Sequence, residues 1–155
     1  AGAAMKGLRI RPAGIEEASA LTALANRAKA SWGYDAAFMA AAAVRIEPAD
    51  IAEGWVWVAK DRRGRSVGVA SLRRTGQPEV IDLDNLFVEP RAQGEGVGEA
   101  LLAHTAQMAR ALGAKRLRIE ADPNAAPFYE RMGARLVGEA QGTLGRPLPV
   151  YELAL

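Results

Sequence analysis

Apolar and polar residues change their period along this chain, and each change marks an element. Leu8-Arg9-Ile10-Arg11 alternates ahead of Pro12 as a short strand does. Ile15, Ala18, Leu21, Leu24, Ala25 and Ala28 then form one helical stripe, with Glu16 and Glu17 in the first turn where the dipole favours acids. That helix is expected to end near Trp32-Gly33-Tyr34, and Asp35 to cap a second, alanine-dominated helix through about Ile46. Two β-rich runs, residues 55–59 and 66–72, flank residues 60–65 as a hairpin, and Gly76-Gln77-Pro78 turns the chain into a strand from Val80 to Val88. Glu89-Pro90 stops this strand, because proline cannot donate to a ladder. Beyond a glycine loop, Val97, Leu101, Met108 and Leu112 recur on one helical face that Gly113 closes. Residues 116–120 alternate again, Asp122-Pro123 opens a short helix ended by Gly133, and residues 134–139 and 150–155 are the last strands. Residues 141–149 between them carry too much Gly and Pro for regular structure.

A meander followed by strand, helix, strand predicts an α/β fold with a parallel pair joined by a right-handed crossover. A chain of 155 residues is one domain by the usual prior. Ala1-Gly2-Ala3-Ala4 before Met5 reads as a cloning remnant, which leaves a single expected domain at 5–155. Twenty Lys and Arg against 18 Asp and Glu leave a charge of +2 without a basic block, so nucleic acid is not an expected partner. The chain has no cysteine and one histidine, which removes a thiolate nucleophile, disulfides and the usual metal clusters. Its longest apolar run, residues 36–44, falls far short of the roughly 18 to 20 residues that cross a bilayer, so no membrane partner and a cytoplasmic setting are expected.

The chemistry concentrates at Gln93-Gly94-Glu95-Gly96-Val97-Gly98. Glycines at a helix start bare N–H groups that have no partner in the helix and lie at its positive end, a site for a phosphate-type anion. A dinucleotide fold wants G-x-G-x-x-G directly after a strand, and a P-loop wants Gly-Lys-Ser/Thr; neither is present. The segment resembles the acetyl-coenzyme A signature of the GNAT superfamily of N-acetyltransferases, Gln/Arg-x-x-Gly-x-Gly/Ala, at Gln93, Gly96 and Gly98. Asp84-Asn85-Leu86-Phe87-Val88-Glu89-Pro90 looks like the fourth strand of that family, and residues 122–134, with Asn124 and Tyr129, resemble its second signature. The element order matches the family from Leu8 to Leu155, which implies a mixed sheet of about seven strands, helices on both faces, and a fourth and fifth strand that splay to admit the cofactor's pantetheine arm.

The resemblance implies transfer of acetyl from acetyl-coenzyme A to a primary amine of a small molecule or peptide, by direct attack and without a metal. Backbone N–H groups of Gly94, Glu95, Gly96, Val97, Gly98 and Glu99 would hold the pyrophosphate, where glycine lets the chain approach closely. Backbone groups of Leu86, Phe87 and Val88 would pair with the pantetheine amides, and an N–H near Phe87 or Val88 would meet the thioester oxygen. Gln93, Asn124 and Phe128 join the cofactor set. Glu95 departs from the family pattern, which favours a basic or neutral residue there. Tyr129 is implied as the general acid for the leaving thiolate, since a phenol near pKa 10 stays protonated at neutral pH. Asp84 ranks first as base, ahead of Asp82 and Glu89, while Trp32, Tyr34 and Arg146, with Lys29 nearby, are assigned to the acceptor. His104 is expected on the surface. Tryptophan and tyrosine packed in the core, and asparagine as a mere cap, are the competing accounts of Trp32, Tyr129 and Asn124. The last two strands commonly form dimers in this family, so a homodimer is an expectation. The alternative function is a catalytically silent acyl-coenzyme A sensor.

Overall fold

A computed structural model describes residues 5–155. Seven strands, β1 (Arg9–Pro12), β2 (Val56–Lys60), β3 (Ser66–Arg74), β4 (Val80–Val88), β5 (Arg116–Glu120), β6 (Arg135–Gln141) and β7 (Pro147–Ala154), form one mixed sheet in the order β1-β2-β3-β4-β5-β7-β6. Five helices, α1 (Ala18–Ala30), α2 (Ala36–Ala41), α3 (Pro48–Ala52), α4 (Val97–Ala111) and α5 (Ala126–Arg131), complete the α/β architecture. The chain groups into two compact units, one running to Ser71 and adding Asn85–His104, the other comprising Leu72–Asp84 and Thr105–Leu155.

In the first unit β1, β2 and β3 pair antiparallel. The β2–β3 turn closes on Asp61, whose Oδ1 accepts the N–H groups of Arg63 and Arg65 while its Oδ2 takes the Arg65 guanidinium. Gly64, at φ +78, supplies the left-handed residue this turn needs. A bulge follows at Val67, where Ala59 pairs with Gly68 and Lys60 with Ser66. Leu21, Leu24 and Ala25 of α1, with Ile51 of α3, pack on Val56, Val58 and Val69. Val97 and Leu101 of α4 pack on Ala59, Val67 and Ala70. Residues that alternate along the strands thus serve two separate clusters, as a strand period of two requires. Gly68 permits the second: a Cβ there would lie 2.7 Å from Leu101 Cδ1 and 3.0 Å from Val97 Cγ1.

The second expected helix ends early. α2 stops at Ala41, and residues 43–47 have no regular structure because α1 side chains supply hydrogen bonds to them. Asn26 Nδ2 donates to Val44 O (2.9 Å), Asn26 Oδ1 accepts from Val44 N (2.8 Å), and Thr22 Oγ1 accepts from Ile46 N (3.0 Å). Two partners satisfied at once outweigh one more helical bond from an alanine-rich segment with no buried residue. Pro48 then starts the short α3 rather than trailing a longer helix.

In the second unit β4 and β5 run parallel, with registered pairs Val80–Arg116, Ile81–Leu117 and Asp82–Arg118. All three fall in the first third of β4, whereas β5 stays paired with β7 as far as Glu120–Val150. The expected irregular stretch 141–149 is shorter than that: β6 reaches Gln141 and β7 begins at Pro147, with a 3-10 turn over Thr143–Gly145 between them. Pro149 carries its carbonyl to Ala121 N (2.9 Å), so its missing N–H faces the side where β5 has already ended, and the ladder loses nothing. Among the described residues no helix is long and apolar enough to cross a membrane.

Candidate functional site

The first unit carries the glycine loop. β4 ends at Val88, a 3-10 turn over Pro90–Ala92 follows, and Gly94 and Gly96 take φ +82 and +80 before α4 begins at Val97. A Cβ on Gly94 would meet nothing within 4 Å, so backbone conformation and not crowding selects glycine there. Buried Val97 pins the helix start against β3, and Ala100 N donates to Gly96 O (3.0 Å) as the first helical bond. The N–H groups of Val97, Gly98 and Glu99 precede that bond and have no acceptor within the helix. The residue at the cap position is glycine, which has no side chain to take them. Glu95 is exposed, and Gln93 Nε2 reaches back to Val88 O (3.3 Å). This 15-residue helix therefore offers convergent donors and a full dipole to an anion, and the residues present fit a pyrophosphate.

Two carbonyl directions along β4 are fixed. Phe87 O lies 3.3 Å from the Cβ position of Gly68, and Glu89 N donates to Val67 O (2.8 Å), so residues 87 and 89 turn their backbone groups toward β3. Leu86 and Val88, in antiphase, turn theirs to the other side. The Phe87 side chain packs with the α1 cluster, its ring 6.5 Å from that of Trp32. Tyr34 stacks at 4.4 Å on Phe38, and Lys29 Nζ donates to Ala42 O (2.7 Å) while sitting 5.7 Å from the centre of the Phe38 ring. Trp32, Tyr34 and Phe38, which follow the C-terminal end of α1 in the chain, are all half-buried.

The carboxylates considered as bases separate clearly. Glu89 is buried, forked by Arg27 Nε and Nη2 at 2.9 and 2.7 Å, and that hydrogen-bonded ion pair holds its carboxyl below the usual range; it is structural. Asp82 lies between Arg73 (3.8 Å) and Arg118 (3.5 Å). Asp84 is the exposed member of the group, 3.6 Å from an Arg73 whose side chain is itself 62% exposed.

In the second unit Asp122 caps the turn before α5, its Oδ1 accepting from both Asn124 N (2.8 Å) and Asn124 Nδ2 (2.9 Å). Asn124 thus serves the cap as well as any ligand. Arg146, assigned from sequence to the acceptor, places Nη2 3.2 Å from Asp122 Oδ2 and ties the β6–β7 turn to the same cap. Tyr129 is 5% exposed, with the ring of Phe128 at 5.1 Å and that of Tyr151 at 6.4 Å. Burial pushes its phenol well above the ordinary tyrosine value. Tyr151, which sequence reasoning passed over, donates from its hydroxyl to Glu130 Oε2 at 2.5 Å. Alternation along β7 signals only that Tyr151 is buried. Nothing local signals the Arg27–Glu89 fork, whose partners are 62 residues apart.

His104 is a correction. It is half-buried on α4 with its ring 5.7 Å from Trp57, its Nε2 is enclosed without a hydrogen-bond partner, and desolvation lowers its pKa. The turn of α4 that brings Val97 and Leu101 to the sheet carries residue 104 to the same side. Among the described residues no cluster of His, Asp or Glu is arranged to hold a metal.

Comparison with known proteins agrees with this geometry. The acetyltransferase (GNAT) domain family matches residues 21–152. The peptidyl-lysine N-acetyltransferase YjaB of Escherichia coli is 34% identical over 103 residues, 66% of this chain and 65% of that protein. The match thus spans slightly less than two thirds of this relative. A GCN5-related N-acetyltransferase from Rhodopseudomonas palustris superposes with a TM-score of 0.77 at 24% identity, covering 100% of both chains. The yncA protein of Salmonella typhimurium, solved with its cofactor acetyl-CoA, superposes with a TM-score of 0.71 at 23% identity over 96% of this chain and 94% of its own.

Proposed function

The chain belongs to the family of GNAT acetyltransferase domains, and from that premise we propose that residues 5–155 act as one catalytic domain moving an acetyl group from acetyl-coenzyme A to a primary amine. The observation that carries this reading is the uncapped α4 start behind two glycines at positive φ, a cradle suited to the cofactor's pyrophosphate. Backbone N–H groups from Gly94 to Glu99 hold that diphosphate. Leu86 and Val88 pair with the amide-bearing arm, in the manner of a strand adding to an edge. Their side neighbour Phe87 does so only through its packing, because its own backbone faces β3.

The amine attacks as a free base. The new C–N bond forms as the C–S bond breaks, and the Val88 N–H supports the charge that gathers on the carbonyl oxygen. Asp84, the exposed carboxylate of β4, takes the proton the amine sheds. Tyr129 donates to the departing sulfur. A phenol pushed above pKa 10 cannot pass its proton downhill to a thiolate of about pKa 8.5, so its contribution is a donated hydrogen bond that holds charge on the sulfur until solvent completes the transfer. Positioning carries most of the acceleration, worth about 7 to 11 kcal/mol at best.

For the acceptor we favour a lysine side chain. The Escherichia coli relative is named for peptidyl-lysine, and a cationic head on an apolar stem suits the half-buried rings of Trp32, Tyr34 and Phe38. A homodimer through β6 is part of the same reading: Leu136 and Val137 are 58% and 44% exposed on this edge strand. Antiparallel pairing about Val137 would set Arg135 of each copy against Glu139 of the other. Light scattering that finds only monomer at micromolar concentration removes the dimer. The test of the activity is release of coenzyme A thiol over a panel of amines. Turnover on a lysine peptide is expected; cofactor binding with no turnover on any amine would point instead to the silent sensor.

A further inference from the structure

Arg27 lies outside the glycine loop, yet the fold ties it to the residue that introduces the loop. Glu89 is the last residue before Pro90, and four hydrogen bonds fix it. Its N–H donates to Val67 O (2.8 Å), its carbonyl accepts from Ala92 N (2.8 Å), and its carboxylate takes the Arg27 fork at 2.9 and 2.7 Å. The side chain of Glu89 is 11% exposed, against 55% for Arg27. A buried carboxylate demands its partner, so the fork sets where the end of β4 lies on α1. The turn after α1 touches this end as well, since Trp32 meets the ring of Phe87 two residues earlier. From Glu89 the chain reaches Gln93 through one 3-10 turn, and Gln93 is fastened back to Val88 O. Gly96 brings no side chain of its own to the start of α4, so the direction of its first N–H groups depends on how this short lead-in is held.

We infer that Arg27 is a positioning residue for cofactor binding: through Glu89 it aims the N–H cradle of residues 94–99. The inference rests on the cofactor role proposed above for that cradle. A second pair supplies the control. Arg11 forks Glu17 at 2.8 and 3.0 Å, with exposures of 47% and 14%, at the opposite end of α1 and away from the loop. Both forks have the same bidentate geometry, although Glu17 also keeps Lys60 Nζ at 3.0 Å, and only the Arg27 fork leads to the cradle.

The experiment titrates the whole chain and its Arg27→Met, Glu89→Gln and Arg11→Met variants with coenzyme A calorimetrically, follows amide hydrogen exchange at residues 93–99, and records thermal melting. Arg27→Met should weaken coenzyme A binding about tenfold, as a released binding loop does. It should speed exchange at residues 93–99 and raise the KM for acetyl-coenzyme A with little change in kcat. Arg27→Lys should recover part of the affinity. Arg11→Met should lower the melting temperature by no more than Arg27→Met does, since Lys60 still pairs with Glu17, while binding coenzyme A as the unmodified chain does. Equal weakening by Arg11→Met, or unchanged affinity and loop exchange in a folded Arg27→Met, would overturn the positioning role. If Arg27→Met fails to fold, Glu89→Gln is read against the same outcomes. An unmodified chain that binds no coenzyme A overturns the cofactor reading itself and the inference with it.

Discussion

Two turns in this protein hand a strand to a helix, and they end in opposite chemistry. Before α5, Asp122 caps the 3-10 turn over Pro123–Ala125, its carboxylate accepting from the Asn124 N–H and side chain. Before α4 the corresponding place is Gly96, which has nothing to fold over. The first turn is self-satisfied and closed to an anion; the second leaves its donors aimed outward. In the function proposed above, the phosphate site is made by withholding a cap, at the cost of the roughly 1 kcal/mol that a cap contributes.

Converting one turn into the other breaks the comparison most severely. Gly96→Asp places an L residue at φ +80 and a carboxylate over the N–H groups, so coenzyme A affinity should fall more than about a hundredfold in calorimetry. Tyr129→Phe tests the side-chain half of the site. Its kcat should drop on the order of a hundredfold with coenzyme A binding unchanged, and unaltered turnover would remove the donor role. Gly68→Val asks whether α4 must sit so close to β3. Given 2.7 and 3.0 Å from its first carbon to Leu101 and Val97, it should destabilise by about 1 to 3 kcal/mol in chemical denaturation. Glu95→Gln, which touches only an exposed position between the glycines, should tighten coenzyme A by no more than about threefold.

Acid titration separates two layers of the first unit. His104 has a folded pKa below its unfolded value, so its contribution is complete above the unfolded pKa of about 6.5 and is lost as pH falls below it. Glu17, lowered to about 2 chiefly by its hydrogen bonds to Arg11, contributes above its unfolded pKa of 4.5 and loses that between 4.5 and about 2. Melting temperature should decline in these two steps, and His104→Phe should delete the first.

Much of this was legible in sequence because its signals are local. Proline, three glycines and a helical stripe beginning at Val97 marked the loop within a dozen residues. The α4 stripe itself was misjudged at its end: Leu112 is 43% exposed, while Thr105 and Ala109 are buried in its stead. The larger misses came from partners distant in the chain. Residues 43–47 are not helical because Asn26 and Thr22, 18 and 24 positions before their partners, take the backbone groups of Val44 and Ile46. Pro147 and Pro149 lie in a strand because only the topology reveals that β5 has ended beside them. Glu89 read as a free carboxylate until Arg27 was seen against it.

The most direct test of the central claim is calorimetric titration of the unmodified chain with acetyl-coenzyme A, NAD and ATP in parallel. Micromolar binding of acetyl-coenzyme A, with NAD and ATP far weaker, is the predicted result. No binding of acetyl-coenzyme A, or selective binding of NAD, would contradict the assignment of the α4 cradle and the acetyl transfer built on it.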